Sequence, residues 1–401
     1  MDFTALAKTY PTPFYVYDAG VIRQRVSNLT SAFKDQNVSL HYAVKANDNP
    51  ALIKMAADGG IGACLVSSGE MKKALAGGMK PADMLMNGVG KTDHDIRFAL
   101  SHGIGQLNVE SIPELTVIAD IARDLGVVAP IGVRINPNVT AESTHTSITT
   151  GRKGDKFGIM AEDLGAAKDI ILSRPELKWL GLSCHIGSQI MNPKELENGY
   201  RVMADLFRGQ NGLDRLDLGG GFGVSYKGDV VAAQPADFAP IVHSVTKDLQ
   251  GRGIRIQLEP GRYIVAEAGT LVTKITFVKH SGGFDFIVLD SGMGDLMRPA
   301  LYGAYHPMTL ARKSTAAEKP FTIVGPICES TDCFARDRLM PGDTQRGDII
   351  AIGFAGAYGH TMSNQFNARD RLAEYLVDGP QIKQIRRSIS AEEFDQLTII
   401  S

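Results

Sequence analysis

GQLNVESIPELTVIADIARDLGVVAPIGVRI, residues 105–135, reads as a strand, a helix and a second strand, the pattern that decides the fold. Its central part carries apolar residues at helical spacing: Leu115, Ile118, Ala119 and Ala122. Gly126 follows as a C-terminal stop for that helix. The short apolar and β-branched runs on either side predict strands over 105–109 and 131–135.

The same alternation continues on both sides of this unit, from about residue 38 to residue 260. Eight runs in this region fit short strands: 40–44, 62–66, 84–86, 105–109, 131–135, 179–184, 215–218 and 255–258. Eight consecutive βα units favour a closed (β/α)8 TIM-like barrel over an open doubly wound sheet, which rarely needs so many. No GxGxxG motif follows the first strand, which also disfavours the open sheet.

The pattern changes after Gly261, where strands follow one another with little helix between them. The strand-like segments are 269–280, 284–292, 320–327 and 347–359. They predict a second, mostly β C-terminal domain, a β-sandwich or barrel, to which the early strand 14–17 could return. We therefore expect an N-terminal segment over 1–25 that contributes a strand to the β domain, a barrel over 26–265 and the β domain over 266–401.

Length and composition are those of a globular protein. The 401 residues exceed the size at which one hydrophobic core usually stops growing, which predicts two domains. The net charge of -2 provides no overall field toward nucleic acid or anionic membrane. Residues 1–18 lack a signal-peptide pattern, and no run approaches the ~18 apolar residues of a membrane span. We expect a cytoplasmic protein without nucleic-acid or membrane partners.

The cysteines and histidines predict neither disulfides nor a metal site. Cys64, Cys184, Cys328 and Cys333 form no CxxC pair and are too few for a disulfide framework. The nine histidines include no HExxH or other close ligand pair. Reduced thiols and no metal are the expectation.

Polar residues and glycines follow most of the predicted barrel strands. In a (β/α)8 barrel the carboxyl ends of the strands form the active-site mouth, so these residues should converge. In chain order they are Lys45, Asn87, Glu110, Asn136, His185, 219–223 and Glu259.

Lys45 ends the apolar run LHYAV, and we expect its ammonium to be desolvated, with a lowered pKa, so that the amine can attack a carbonyl. A strand-end lysine is more often simply solvated, and the glycine-rich turn GGGFG (219–223) decides between these interpretations. Glycine N–H groups can approach a phosphate without side-chain hindrance. EPGR (259–262) follows the next predicted strand. Phosphate sites in these barrels are commonly formed by the loops after strands seven and eight, so GGGFG and EPGR together predict a phosphate site.

A lysine, a phosphate site and a strand-eight carboxylate are what pyridoxal 5'-phosphate (PLP) needs from a barrel. Over nearly its whole length the chain resembles the alanine racemase-like, fold type III PLP enzymes, and among them the diaminopimelate decarboxylase group. The resemblance also implies a barrel with a β domain, in agreement with the strand pattern. The matching blocks are YAVKAN (42–47), VSSGE (66–70), KFGI (156–159), HIGSQ (185–189), GGGFG (219–223), EPGR (259–262), MRPALY (297–302), CESTD (328–332) and GAYG (356–359).

This resemblance implies roles for individual residues. Lys45 would carry PLP as a Schiff base, Glu259 would keep the pyridine nitrogen protonated, and His185 would stack on the ring. Racemases of this fold have arginine at the position of Glu259, so the glutamate indicates decarboxylation. The further cofactor contacts it implies are Ser188, Gly220, Gly221, Gly223, Gly261, Arg262 and Tyr358.

The resemblance also implies a substrate, meso-diaminopimelate, with L-lysine and CO2 as products. The residues at the family's substrate positions are Arg262, Arg298, Tyr302, Glu329 and Tyr358. Cys328 would be the general acid that protonates the carbanion left by CO2. In the family this cysteine reaches the cofactor of the neighbouring subunit, which implies a homodimer with shared active sites. Ornithine- and arginine-type relatives have aspartate after the equivalent cysteine, so CES favours diaminopimelate.

Three departures from the family pattern leave the substrate open. Cys64 stands where an aspartate is usual, STHTSITTG (143–151) lacks an aromatic residue, and SNQFN (363–367) replaces an Asn-Tyr version. The alternative is decarboxylation of another amino acid or an amino-acid conjugate in specialised metabolism. An inactive regulatory homologue is less favoured because Lys45 and Cys328 are both present, and a racemase is less favoured because Glu259 stands where racemases have arginine.

Overall fold

The computed structural model describes residues 1–139 and 154–397, and the STHTSITTG segment lies outside them. The chain forms two compact units. The barrel unit takes the described parts of Arg23–Ser225 and Val231–Ile264. The β unit takes Met1–Ile22, Tyr226–Val230 and the described chain from Val265 onward. The sequence pattern did not predict that Tyr226–Val230 would leave the barrel unit.

The first elements of the chain belong to the β unit: α1 (Phe3–Thr9) and β1 (Phe14–Asp18). The strands that follow in the barrel unit are β2 (Val38–Ala43), β3 (Gly62–Leu65), β4 (Met84–Met86), β5 (Gln106–Val109), β6 (Ala129–Asn136), β7 (Ile159–Met160), β8 (Leu177–Ser183), β9 (Arg215–Asp217) and β10 (Arg255–Leu258). The helices before, between and after these strands are α2 (Ala19–Ala32), α3 (Pro50–Asp58), α4 (Ser68–Ala76), α5 (Asp93–Ser101), α6 (Ile112–Leu125), α7 (Leu164–Ser173), α8 (Lys194–Arg208), α9 (Pro235–Gly251) and α10 (Arg262–Val265).

Eight of the barrel-unit strands form a closed parallel sheet. Their order is β2, β3, β4, β5, β6, β8, β9 and β10, and the pairing of β10 with β2 closes the ring. The two-residue strand β7 pairs with the end of β6. The predicted (β/α)8 barrel is confirmed, and the alternative of an open sheet is wrong.

Helix α6 shows how the local pattern produces this packing. Its buried residues are Leu115, Ile118, Ala119, Ile121 and Ala122, the apolar face predicted from the sequence with one addition. Burying a leucine or isoleucine side chain stabilises the fold by about 1.5–3 kcal/mol. Gly126 ends the helix at a φ of 67°, in the left-handed region that favours glycine.

The remaining elements form the β unit. They are β11 (Gly269–Ser281), β12 (Phe284–Leu289), α11 (Arg298–Tyr302), β13 (Met308–Leu310), β14 (Glu318–Val324), β15 (Cys333–Pro341), β16 (Ile349–Ile352), β17 (Glu374–Asp378), β18 (Gln381–Arg386) and α12 (Ala391–Asp395). The main path of the sheet runs β15, β14, β12, β11, β1, β17 and β18, and β16 joins β11 to β13. The second, mostly β domain is therefore confirmed.

Strand β1 lies in the middle of this sheet, as the early strand was expected to do. It pairs antiparallel with β11 and parallel with β17. Phe14 and Val16 are fully buried in one cluster with Val272 of β11 and Tyr375 of β17. Four strands of this unit, β13, β15, β17 and β18, were not predicted, because β13 is short and each of the other three carries two or more charged residues.

Within residues 1–139 and 154–397, no helix is long and apolar enough to cross a membrane. The same residues contain no group of three or more histidine, cysteine or acidic side chains placed to hold a metal ion.

Candidate active site

Lys45 lies at the carboxyl end of β2, in the short 3-10 turn Val44–Ala46. Val44 and Ala46 on either side are buried, but the lysine itself is exposed. The expectation of a desolvated lysine is therefore wrong for this chain, because the turn directs the residue out of the apolar strand. Its positive charge acts on the buried Cys64 and on His185, so the ammonium faces the strand ends predicted to form the mouth.

The turn that carries Lys45 is held against the EPGR loop. The N–H of Ala43 donates to the carbonyl oxygen of Pro260 across 3.1 Å. A side chain at Gly261 would lie 2.9 Å from the Cβ of Ala43 and 3.1 Å from that of Ala46. Glycine at 261 thus permits the close approach of the two loops that carry Lys45 and Glu259.

Glu259 follows β10 and is 8% exposed. Its Oε1 accepts a hydrogen bond from Nδ2 of Asn87 across 2.7 Å. The same nitrogen lies 3.2 Å from Sγ of Cys64. Burial raises the pKa of the Cys64 thiol, so this residue is a neutral side chain beside the carboxylate, where the family usually has an aspartate.

A polar network continues from Asn87 into the barrel, whose interior is usually filled by apolar side chains. Asn108 is fully buried and donates from Nδ2 to Oδ1 of Asn87 across 2.7 Å and to Oδ2 of Asp217 across 3.2 Å. Its Oδ1 accepts from Nε2 of Gln106 across 2.6 Å. A Cβ at Gly132 would lie 2.4 Å from Oδ1 of Asn108, so glycine there leaves the space that the network occupies.

His185 packs against the glycine-rich turn that follows β9. The N–H of Gly220 donates to Nδ1 of His185 across 3.2 Å, which assigns the ring proton of the neutral histidine to Nε2. Burial, followed by the charges of Lys45 and Arg134, lowers the pKa of His185 well below its usual value. The imidazole is therefore uncharged at neutral pH.

The glycines of this turn allow backbone conformations and close contacts that a residue with a side chain would not. Gly219 and Gly221 have φ values of 72° and 109°, and a Cβ at Gly220 would lie 2.2 Å from the backbone oxygen of Glu259. The N–H of Gly223 donates to the oxygen of Ile190 across 3.0 Å. The N–H groups of Gly220 and Gly223 thus have partners within the protein, and these two glycines would meet a bound cofactor through their unhindered Cα atoms.

Arg262 and Ser188 are brought together at the same end of the barrel. Arg262 is 7% exposed, and its Nη2 donates to Oγ of Ser188 across 3.0 Å. A buried guanidinium beside a hydroxyl is a donor set suited to a phosphate or carboxylate.

Glu110 and Asn136, two further strand-end residues, have structural partners. Glu110 pairs with Arg134 across 2.7 Å and accepts from the N–H of Gly158, in the KFGI block, across 2.9 Å. The side chain of Asn136 accepts from the N–H of Asn138 across 3.0 Å. Glu110 therefore anchors the KFGI block to the barrel.

Arg298, Tyr302 and Tyr358 lie in the β unit. Arg298 is 7% exposed, and its guanidinium carbon lies 4.7 Å from the ring centre of Tyr226. Tyr302 ends α11 and is partly buried. Tyr358 has a φ of 60°, which is uncommon for a residue with a side chain and is typical of functional loops.

The CESTD loop of the β unit is shaped by Asp332, which the sequence analysis quoted but did not single out. Asp332 is 4% exposed and accepts from the N–H groups of Met293 and Ile327, across 2.6 and 2.7 Å. Cys328 and Glu329 are exposed, so Cys328 is not the core residue that an isolated cysteine usually is. The N–H of Cys328 donates to Oδ1 of Asn367, the last residue of SNQFN, across 2.8 Å.

The barrel side chains fit PLP by the chemistry of their donors and acceptors. The primary amine of Lys45 can form a covalent link to an aldehyde, and the buried carboxylate of Glu259 suits a protonated ring nitrogen. The Arg262 and Ser188 pair suits the phosphate. Residues 19–266 match the family model described as "pyridoxal-dependent decarboxylase, pyridoxal binding domain". The chain therefore belongs to the pyridoxal-dependent decarboxylases, and its cofactor is pyridoxal phosphate.

Similarity to individual proteins identifies the group within the pyridoxal-dependent decarboxylases to which the chain belongs. The chain is 40% identical to the diaminopimelate decarboxylase of Neisseria meningitidis serogroup B, over 98% of this chain and 94% of that protein. It is 38% identical to that of Zymomonas mobilis, over 97% and 93%. The crystal structure of Helicobacter pylori diaminopimelate decarboxylase complexed with L-lysine has a TM-score of 0.93 and 36% identity, and covers 98% of both chains. The chain belongs to the diaminopimelate decarboxylase family.

Proposed function

We propose that the protein decarboxylates meso-diaminopimelate to L-lysine and CO2, a step of lysine biosynthesis. The observation that carries this proposal is the presence of Lys45, His185 and the buried Glu259 at the carboxyl ends of one barrel, in a chain that matches diaminopimelate decarboxylases over nearly its full length. We also propose that the enzyme acts in the cytoplasm.

Bound pyridoxal phosphate supplies an electron sink for the pair left by the departing CO2. Lys45 would hold this cofactor covalently, and Glu259 would hold a proton on its ring nitrogen. The neutral His185 would pack against the ring, because a charged imidazole is disfavoured at this partly buried position. The remaining cofactor contacts we propose are Ser188, Gly220, Gly221, Gly223, Gly261, Arg262 and Tyr358.

The substrate needs a clamp for its second amino-acid head. An arginine binds a carboxylate through two parallel hydrogen bonds, and a glutamate can hold an ammonium. Arg298 suits the first task because its guanidinium is already oriented by the buried His306 and the ring of Tyr226. The proposed substrate contacts are Arg262, Arg298, Tyr302, Glu329 and Tyr358.

Cys328 is proposed as the general acid that returns a proton to the substrate carbon. A thiol can do this because it gives up its proton near neutral pH more readily than a hydroxyl does. We propose further that Cys328 and Glu329 serve the active site of a second copy of the chain, in a homodimer with shared sites. Their exposure is what such a role requires.

A panel of amino acids tests the reaction. The purified enzyme is incubated with meso-diaminopimelate, L-lysine, ornithine, arginine and amino-acid conjugates, and CO2 release is measured while the amine product is identified. We expect L-lysine from diaminopimelate at the highest kcat/KM. Faster turnover of ornithine, lysine or a conjugate would overturn the substrate assignment.

The cofactor assignment has its own test. Borohydride reduction of the purified enzyme followed by peptide mapping should place a pyridoxyl group on Lys45. A label on another lysine would show that Lys45 does not carry the cofactor.

A further inference from the structure

We propose that Asp217 is a positioning residue that carries the one proton shared with Glu259, so that Glu259 keeps its negative charge. The inference rests on the proposed role of Glu259 toward the cofactor and goes beyond it, because Asp217 has no place among the family residues considered above. Asp217 is the last residue of β9, and the glycine-rich turn begins two residues later.

The two carboxyl groups are buried neighbours. Asp217 is 1% exposed and Glu259 is 8% exposed. They belong to one buried network, in which Asn108 donates to Asp217 and to Asn87, and Asn87 donates to Glu259. Two neighbouring carboxyl groups in a buried site are not both ionised, because their repulsion is not screened by water. The pair must therefore hold one proton between them, with one net negative charge.

The surroundings decide which residue holds the proton. Glu259 faces the barrel mouth and accepts a short, 2.7 Å hydrogen bond from Asn87. The thiol of Cys64 also contacts the Glu259 carboxylate. Asp217 lies deeper, and its bond from Asn108 is longer, at 3.2 Å, from a nitrogen that also serves Asn87. Burial first, and then the charge of Glu259, raise the pKa of Asp217 well above its usual value.

The location of the proton matters for the chemistry. An ionised Glu259 can accept a hydrogen bond from a protonated ring nitrogen, whereas a protonated Glu259 could offer only a donor. With Asp217 protonated, its hydroxyl donates to Glu259 and stabilises the anion there. The proton itself stays on Asp217 throughout, so the arrangement consumes nothing and needs no co-reactant.

Asp217 has a second task that a substitution must preserve. Its Oδ1 accepts from the N–H of Gly219 across 2.9 Å and so holds the start of the glycine turn. Asparagine at 217 can keep this acceptor and donate from Nδ2 toward Glu259, as the protonated acid does. It gives up only the long 3.2 Å acceptor for Nδ2 of Asn108. Alanine can do neither. A comparison of Asp217→Asn with Asp217→Ala therefore shows whether position 217 needs a neutral hydrogen-bond donor or a negative charge.

The first measurement uses the cofactor-free protein, so that it does not depend on turnover. Infrared difference spectra, wild type minus variant at neutral pH, isolate the carbonyl stretch of the protonated carboxyl group that each substitution removes, because other buried acids such as Glu70 contribute to the absolute band. We expect this band to vanish in Asp217→Asn. It should persist in Asp214→Asn, a matched control on the exposed carboxylate three residues earlier, which pairs with Arg215. A band that survives in Asp217→Asn and vanishes in Glu259→Gln would place the proton on Glu259 and overturn the proposal.

The second measurement is kinetic. Asp217→Asn should keep kcat within about tenfold of the wild type, whereas Asp217→Ala should lose about a hundredfold in kcat with little change in KM. The conservative variant keeps the proposal testable if the alanine variant fails to fold, which circular dichroism would show. A folded Asp217→Asn that is a hundredfold slower would overturn the proposal, because the site would then require an ionised aspartate. If diaminopimelate is not the substrate, the infrared result still stands.

Discussion

The guanidinium of Arg298 donates to Nε2 of His306 across 2.9 Å, and Nδ1 of the same ring lies 3.0 Å from the carbonyl oxygen of Gly353. The second contact requires the proton on Nδ1, so Nε2 is an acceptor for Arg298. His306 is fully buried. His306 is therefore held in place by the backbone of Gly353 and in turn orients the guanidinium of Arg298, the residue proposed to bind the distal carboxylate.

We predict that His306→Leu raises KM for diaminopimelate about tenfold, or about 1.4 kcal/mol, with little change in kcat, because Arg298 loses its orienting partner. Arg298→Ala should cost more, since the charge-assisted contact itself is lost. Steady-state kinetics measure both, and His280→Leu, on an exposed histidine of β11, is the control. An unchanged KM in folded His306→Leu would show that Arg298 does not depend on this partner, and an unchanged KM in Arg298→Ala would remove Arg298 from substrate binding.

The glycine turn gives a steric prediction at Gly220. A Cβ there would lie 2.2 Å from the backbone oxygen of Glu259, and backbone cannot yield as a side-chain end can. Gly220→Ala should destabilise the protein by about 1–3 kcal/mol and weaken pyridoxal phosphate binding. Urea unfolding and cofactor titration measure the two effects. Gly165→Ala, in open space within α7, is the matched control and should stabilise slightly. Equal stability of both variants would contradict the close approach.

Glu70 makes stability depend on pH. Burial raises the pKa of this carboxyl from 4.5 to about 7, although its Oε2 accepts from the N–H of Val66 across 2.8 Å. The unfolded chain therefore releases this proton at a lower pH than the folded protein does. Stability from this group is greatest below about pH 4.5 and falls as pH rises to about 7.

Glu70→Gln should flatten that part of the pH profile, since glutamine keeps the acceptor for Val66 and does not ionise. The free energy of unfolding in urea between about pH 4.5 and about pH 8 measures the slope. Glu162→Gln, at an exposed position, should leave the profile as in the wild type. If the slopes of wild type and Glu70→Gln agree, Glu70 ionises at its ordinary pH.

Subunit mixing tests the proposed homodimer. Lys45→Ala and Cys328→Ala chains are each expected to be inactive. If the sites are shared, half of the dimers at statistical exchange are mixed and each has one intact site, so roughly a quarter of wild-type activity should return. Exchange is verified with two affinity tags. Verified exchange without recovered activity would place Cys328 in its own chain's site or outside catalysis.

The sequence alone determined the architecture and the principal chemical groups. Strand and helix periodicity is local, so eight βα units, the apolar face of α6 and the central strand β1 could all be predicted before any contact was known. Parallel strands of a barrel end at one mouth, which is why Lys45, His185 and Glu259 could be assigned to one site from their positions after strands. The family blocks then indicated the reaction.

Only the tertiary structure decided which of these groups touch, and with what charge. Asp217 was an unremarked residue before a glycine turn, and Asn108 an interior residue of a strand. Their contacts with Glu259 and Asn87 depend on the register of strands that lie far apart in the chain. The exposure of Lys45 and the neutral state of His185 likewise follow from packing and burial, which no local pattern specifies. Periodicity determines where a side chain lies along its strand, but pKa values and hydrogen-bond partners depend on what the folded chain brings beside it.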